Sequence, residues 1–168
     1  MRATAAVLRE HGGLFTLEDV DVDEPCAGEV VVRMVSVGIC RTDVEATKNW
    51  MLPAVLGHEG AGVVEAVGDG VTSVEPGDHV IMSFRSCKVC PTCRRGQPAY
   101  CDTFEPLNFS GLRPDGSTAL RDSDGSPLYA QFLGQSSFST TALVDSSSVV
   151  RVDRGVDLKA LGAVGCGV

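Results

Sequence analysis

The run Cys87-x-x-Cys90-x-x-Cys93, followed by Cys101, gathers four of the chain's seven cysteines into residues 87–101. Two-residue gaps let the backbone curl so that successive sulfurs face one point. Four thiolates then close a tetrahedral shell around zinc at about 2.3 Å each. In a reducing compartment, clustered thiols are metal ligands more often than disulfides. A redox dithiol would need only two of the four. The expectation is a structural zinc, sealed by sulfur, that folds a lobe over about residues 85–102. Lys88, Arg94 and Arg95 lie in or beside this lobe and offset part of the negative charge of the thiolates. In small zinc-folded peptides, metal binding contributes about 10–16 kcal/mol in apparent terms.

Outside the lobe the chain reads as short strands between turns, in keeping with its 19 glycines and 8 prolines. Thr4–Leu8 is a short apolar run, and Phe15–Val22 alternates apolar and acidic residues. Glu29–Val37 is β-branched and nearly continuous, the pattern of a strand covered on both faces. Gly62–Val67 and Asp78–Met82 follow, the second introduced by the turn Glu75-Pro76-Gly77-Asp78. Residues 85–129 are expected to be irregular, with strand character returning at Phe138–Val144 and Ser148–Val152. Thr42–Thr47 reads as a helical turn. Asp157 is placed to cap a short helix over Leu158–Val164 that delivers Cys166. The spacing predicts a mainly β domain with short helices (α+β), built as a barrel or a sandwich.

With 168 residues, 43% hydrophobic and 21% charged, the chain has enough apolar content for one domain with a core. Its formal charge of −8 argues against nucleic acid or an anionic membrane as partner, because phosphate binding needs a basic face. No apolar run is long enough to span a bilayer. The start Met1-Arg2-Ala3-Thr4 carries no apolar signal segment, so a cytoplasmic protein is expected.

Three further metal-ligating side chains are dispersed, each beside glycines. They are Cys40 in Gly38-Ile39-Cys40-Arg41-Thr42-Asp43, His58 in Gly57-His58-Glu59-Gly60-Ala61-Gly62, and Cys166 in Gly165-Cys166-Gly167-Val168. Two thiolates, an imidazole and a water form an open zinc shell of the catalytic kind. Such a site lowers the pKa of an alcohol. A lone cysteine is otherwise a small apolar side chain, and Cys26, in the acidic turn Glu24-Pro25-Cys26-Ala27-Gly28, is read that way.

These motifs, the four-cysteine lobe, the segment Val74-Glu75-Pro76-Gly77-Asp78-His79-Val80 and the segment Phe132-Leu133-Gly134-Gln135-Ser136-Ser137-Phe138 together resemble the zinc-dependent medium-chain alcohol dehydrogenases. The similarity is to their GroES-like β-barrel catalytic domain, nearest the class I/III and aryl-alcohol branch. It runs from about Ala5 to Val168. The resemblance implies that Cys40, His58 and Cys166 hold a catalytic zinc and that Glu59 sits behind the metal. It implies that Asp43 orients His58 and raises its basicity, and that Thr42 contacts the substrate hydroxyl and begins a proton relay. Arg41 matches the residue that meets the cofactor pyrophosphate. The implied cofactors are two zinc ions and NAD(P). The implied partners are small alcohols and aldehydes, with a homo-oligomer expected for the whole enzyme.

The chain also departs from the pattern. Glu45 stands where many relatives carry the histidine that ends the relay. The segment between Cys40 and His58 is shorter than in those relatives, and its Trp50-Met51-Leu52 is expected to wall the substrate pocket. Phe84 and Phe132 match other pocket positions. Such a lining favours primary, hydrophobic or aromatic alcohols. Beyond Cys101 there is no basic residue until Arg113, where glutathione-dependent formaldehyde dehydrogenases carry one for the glutathione carboxylate, which lowers that alternative. No Gly-x-Gly-x-x-Gly turn of a nucleotide fold is present. The sequence also stops where the family continues into an inter-domain helix. The expectation is one domain over 1–168 with the nucleotide-binding domain missing, inactive in hydride transfer by itself, and with apolar surface exposed. The competing readings are a non-catalytic zinc-stabilised binding domain, since fold does not dictate function, and a zinc-free quinone reductase relative, which the seven ligands argue against.

Overall fold

The alternation of small apolar and polar residues in Arg2–Leu8 turns Ala3, Ala5 and Val7 inward, and the strand they form starts a ten-stranded architecture. The computed structural model describes residues 1–167. Val168, the last position of the expected domain, lies outside the described residues. The strands are β1 (Arg2–Leu8), β2 (Phe15–Val22), β3 (Glu29–Val37), β4 (Ala54–Val55), β5 (Gly60–Val67), β6 (His79–Met82), β7 (Leu120–Asp122), β8 (Pro127–Leu128), β9 (Thr141–Asp145) and β10 (Val149–Val152). One sheet has the order β4-β1-β2-β7-β8, the other β10-β6-β5-β3-β9. All pairs between these strands are antiparallel.

The first sheet closes on itself. Tyr129, just after β8, bridges Ala54 of β4, with its N–H donating to Pro53 O at 2.8 Å and its carbonyl accepting from Val55 N–H at 3.0 Å. The two sheets are stitched where β1 meets the segment before β9, through the bridge Ala5–Ser139 and the bonds Ala6 N–H to Phe138 O and Thr140 N–H to Thr4 O, both 2.8 Å. The expected mainly β barrel with short helices is therefore present. The helices are α1 (Arg41–Ala46), α2 (Pro91–Arg94), α3 (Phe104–Phe109) and α4 (Val164–Gly167). Among the described residues, no helix is long and apolar enough to cross a membrane.

β3 lies between two cores. Val31 packs with Val7, Val20, Leu120 and Leu143, while Val30 and Val32 pack with Val64, Val80 and Val144. Coverage on both faces holds only for its first half. The pairing with β9 stops at Arg33–Thr141, and from there the strand alternates exposed and half-buried residues. In β2 only Val20 and Val22 face the core, and Phe15 and Leu17 stand on the opposite, exposed face. A third cluster, Leu8, Ala46, Trp50, Ala54, Leu56 and Phe132, fixes α1 against the barrel.

Several boundaries differ from the sequence expectation. The stretch 85–129, expected to be irregular, contains α2, α3, β7 and β8. β4 and β8 have two residues each, too short for any periodicity to register. The single helix expected over Leu158–Val164 is a 3-10 turn, Leu158–Ala160, followed by α4. Asp157 caps the turn by accepting from Lys159 N–H at 3.0 Å.

Candidate metal centre

The sulfurs of Cys87, Cys90, Cys93 and Cys101 all lie within 4.8 Å of one another. Local chemistry shapes the lobe. Pro91 sits in the first turn of α2, where its missing N–H costs nothing. Cys90 Sγ accepts from Cys93 N–H at 3.4 Å. Cys87 Sγ accepts from Cys90 N–H and Cys101 Sγ from Cys87 N–H, each at 3.3 Å. Such donors favour the thiolate form. Burial pushes the Cys93 thiol up to about 12, with the Cys90 and Cys101 side chains adding to the rise. Burial also acts to raise Cys101, but the Cys87 N–H and the Thr103 hydroxyl bring it down to about 6. The four can hold a structural metal ion.

A second group forms where three separate elements meet. Cys40 is the N-cap of α1, and His58 and Glu59 lead into β5. Cys166 is carried by α4. Their ligating atoms also lie within 4.8 Å of one another. Asp43, almost fully buried, organises the group. Its Oδ1 accepts from His58 Nδ1 at 2.9 Å and from Gly57 N–H at 3.1 Å, and its Oδ2 accepts from Cys40 N–H at 2.8 Å. With the proton held on Nδ1, the Nε2 lone pair of His58 is free. That atom is buried and has no hydrogen-bond partner. A buried polar atom left without a partner is costly, and a metal ion would satisfy it. The donor set of two sulfurs and one imidazole suits zinc. Glycines make the convergence possible. A Cβ at Gly38 would collide with the Glu59 carboxylate, and one at Gly165 would collide with the carbonyl of Met82.

The charges within the group divide unevenly. Hydrogen bonds from the backbone and side chain of Thr42 hold the Cys40 thiol below its usual value. Cys166 stands in an exposed turn, yet loss of water around its sulfur and the nearby Cys40 push it up to about 11. Burial, the largest single influence, opposes protonation of His58, but the Asp43 carboxylate and the Cys40 side chain together raise the imidazole. Thr42 Oγ1 lies 3.6 Å from Cys40 Sγ. Arg41, at the start of α1, is exposed. Glu45 is on the exposed side of α1 with its carboxylate 2.9 Å from Lys48 Nζ.

A cavity of about 540 Å³ opens beside His58 and Cys166. Its wall differs from the expected one at Trp50 and Phe132. Phe84 lines it, as expected, together with Phe104 and Leu133, which the sequence did not single out. Phe132 and Trp50 are buried behind it, edge to face with centroids 4.6 Å apart, and Phe132 in turn meets the His58 ring edge to face at 5.5 Å. Phe132 backs the histidine and Trp50 backs Phe132, and neither lines the pocket. Arg113 is not free to bind a ligand carboxylate. It is buried, with Nε and Nη2 donating to Glu29 at 2.7 and 3.0 Å and Nη1 to Asp23 at 2.8 Å. Gln135, whose amide contacts the backbone on both sides of Glu59, had no signal of its own in the sequence.

Residues 26–154 match the family model described as the alcohol dehydrogenase GroES-like domain. A geraniol dehydrogenase from Castellaniella defragrans is 44% identical over 99% of this chain, which covers 45% of that protein. A crystal structure of an alcohol dehydrogenase zinc-binding domain protein from Burkholderia ambifaria superposes with a TM-score of 0.98 at 45% identity, over 99% of this chain and 46% of that one. Benzyl alcohol dehydrogenase from Acinetobacter calcoaceticus gives a TM-score of 0.93 at 39% identity, over 99% and 45% of the two chains. The chain thus spans under half the length of the relatives it matches.

Proposed function

Because the chain belongs to the GroES-like domain family of the zinc-dependent alcohol dehydrogenases, we propose that residues 1–168 form the catalytic domain of such an enzyme. The whole protein then oxidises primary, hydrophobic or aromatic alcohols to aldehydes with NAD(P). The observation that carries this reading is the buried, partnerless Nε2 of His58, set among Cys40, Cys166 and Glu59. Cys40, His58 and Cys166 hold the catalytic zinc, and Cys87, Cys90, Cys93 and Cys101 hold the structural one in the lobe of about residues 85–102. Zinc bound at the open site supplies Lewis acidity that lowers the pKa of the substrate hydroxyl.

The chain's own residues do the remaining work. Asp43 fixes the histidine tautomer and makes its ring a stronger donor. The Thr42 hydroxyl accepts a hydrogen bond from the alcohol and begins the relay, taking the alcohol's proton as it passes its own on to water. Glu59, whose carboxylate lies within 4.8 Å of the other ligating atoms, would serve as an alternative ligand to the metal. Phe84, Phe104 and Leu133 exclude water and take up an apolar chain or ring. Geraniol and benzyl alcohol, the substrates after which two relatives are named, are both hydrophobic primary alcohols and fit this lining. Of a nicotinamide dinucleotide, this chain offers one contact, Arg41 toward the pyrophosphate. We place the rest of the nucleotide site on parts of the whole protein outside these residues, so the 168-residue chain transfers no hydride alone.

Elemental analysis tests the reading. Two zinc ions per chain are expected, falling to one in Cys40→Ala. One zinc in the unaltered chain would instead support a binding domain stabilised by the lobe alone. Alcohol-dependent NADH formation by the isolated 168 residues would refute the assignment of the nucleotide site elsewhere.

A further inference from the structure

The side chain of Gln135 stands in for a missing stretch of β-strand at the candidate catalytic centre. The pairing of β5 with β6 begins at Ala61–Ile81, so His58 C=O and Gly60 N–H, one step earlier, face no strand on that side. Glu59, between them, turns its carbonyl the other way and accepts from Gly38 N–H at 2.8 Å. Gln135 instead satisfies both groups with one amide. Its Nε2 donates to His58 O at 2.7 Å, and its Oε1 accepts from Gly60 N–H at 3.2 Å. The partners dictate the orientation of the amide, oxygen to the N–H and nitrogen to the carbonyl. The residue is 2% exposed and lines the cavity.

Its own backbone is held in an unusual way. Leu133 and Ser136 have φ of +48° and +55°, and Gln131 has +64°, a region that side chains other than glycine seldom adopt. Neighbouring bonds keep the segment there. Ser136 Oγ donates to Val55 O at 2.6 Å and accepts from Phe132 N–H at 3.0 Å, and Ser137 N–H donates to Gly57 O at 2.9 Å. The strained turn thus presents Gln135 to one short piece of backbone, the one that carries His58 and Glu59.

We propose that Gln135 is a positioning residue for the open metal site: its amide locks the two peptide planes around Glu59, and so aims His58 and Glu59 at the metal. The inference rests on the catalytic-zinc reading of Cys40, His58 and Cys166. A partner bonded directly to a ligating group changes metal affinity by about 10–100-fold when lost, and Gln135, bonded to the backbone that carries the ligands, is expected at the lower end of that range.

The test loads the full chain with cobalt(II) and with zinc, and measures metal affinity by competition with a chromophoric chelator. Cobalt absorption reports ligand geometry directly. The variants are Gln135→Met, which keeps volume and removes both bonds, and Gln135→Glu, which keeps the acceptor and loses the donor. In Gln135→Met the open site is expected to bind about 10-fold more weakly, with an altered cobalt spectrum. Gln135→Glu, ionised, keeps the bond from Gly60 N–H but sets an oxygen against the His58 carbonyl, and is expected to weaken the open site as well. The four-cysteine site should be unchanged in both, and it reports that each variant is folded. If Gln135→Met fails to load the four-cysteine site, Gln135→Glu alone decides. A second metal bound with native affinity and spectrum in the folded variants overturns the role of Gln135 and leaves the catalytic-zinc reading standing. A native chain that binds one metal overturns that reading itself.

Discussion

Arg113 is the chain's clearest case of a charge whose burial is answered locally. Its fork meets Glu29 through two parallel bonds, and Asp23 and the carbonyl of Thr118 take a third nitrogen. The Glu29 hydrogen bonds, more than burial opposes, hold the guanidinium protonated beyond its ordinary value. Bidentate arginine–carboxylate pairs tolerate burial because each donor finds an acceptor. Removing Arg113 leaves Glu29 charged with one bond, from Cys26 N–H at 2.9 Å, and no counter-charge. Arg113→Ala is expected to destabilise the fold by about 3–5 kcal/mol. Adding Glu29→Met should recover much of that loss, since the lone carboxylate goes with it. Urea unfolding of the single and double variants measures both. Equal losses in the two would show that packing, and not the stranded carboxylate, sets the cost.

The turn between β5 and β6 shows how an element is started by one residue. Gly77 takes φ of +90°, and Asp78 closes the turn by accepting from Glu75 N–H at 3.0 Å. Its other oxygen accepts from Arg154 at 2.9 Å, which ties the β5–β6 turn to the segment just after β10. The Arg154 hydrogen bond, followed by that of Glu75 N–H, holds the Asp78 carboxyl below its ordinary value. A carboxyl depressed in the folded state adds stability above its unfolded pKa of about 3.9 and loses it as pH falls through the folded value. Asp78→Asn should therefore lower Tm at pH 7, and the gap to the native chain should shrink as pH falls below about 3.9. Thermal scans across that range would show it, and a gap that stays constant with pH would assign the effect to turn geometry alone.

At the scale of the whole molecule, the barrel leaves one large apolar groove open, of about 870 Å³. It runs between β2 and the second half of β3. Leu14, Leu17 and Ile39 on it are 89%, 81% and 77% exposed. Patches of this kind drive association. Leu14→Lys combined with Leu17→Lys is expected to raise the solubility of the 168-residue chain and weaken its self-association. The metal content should not change, since neither residue touches a ligand. Light scattering with elemental analysis would check both halves. Unchanged association would mean that this groove does not govern it.

The sequence determines by itself what depends on near neighbours along the chain. The lobe is legible because its four sulfurs fall within one short loop, so spacing alone implies convergence. The starts of β2 and β3 and the Asp78 turn are legible because periodicity and turn chemistry are local. The family could also be read there, since motif contexts around Cys40, His58 and Cys166 are short. Only the tertiary structure decided what depends on distant segments meeting. It set Phe132 and Trp50 behind the histidine and Phe104 in front of it, and it committed Arg113 to Glu29 at a distance of 84 residues along the chain. It brought Gln135 to the backbone of His58, 77 residues away. Those placements follow from how the barrel closes and where β6 stops, and no periodicity or local spacing encodes either.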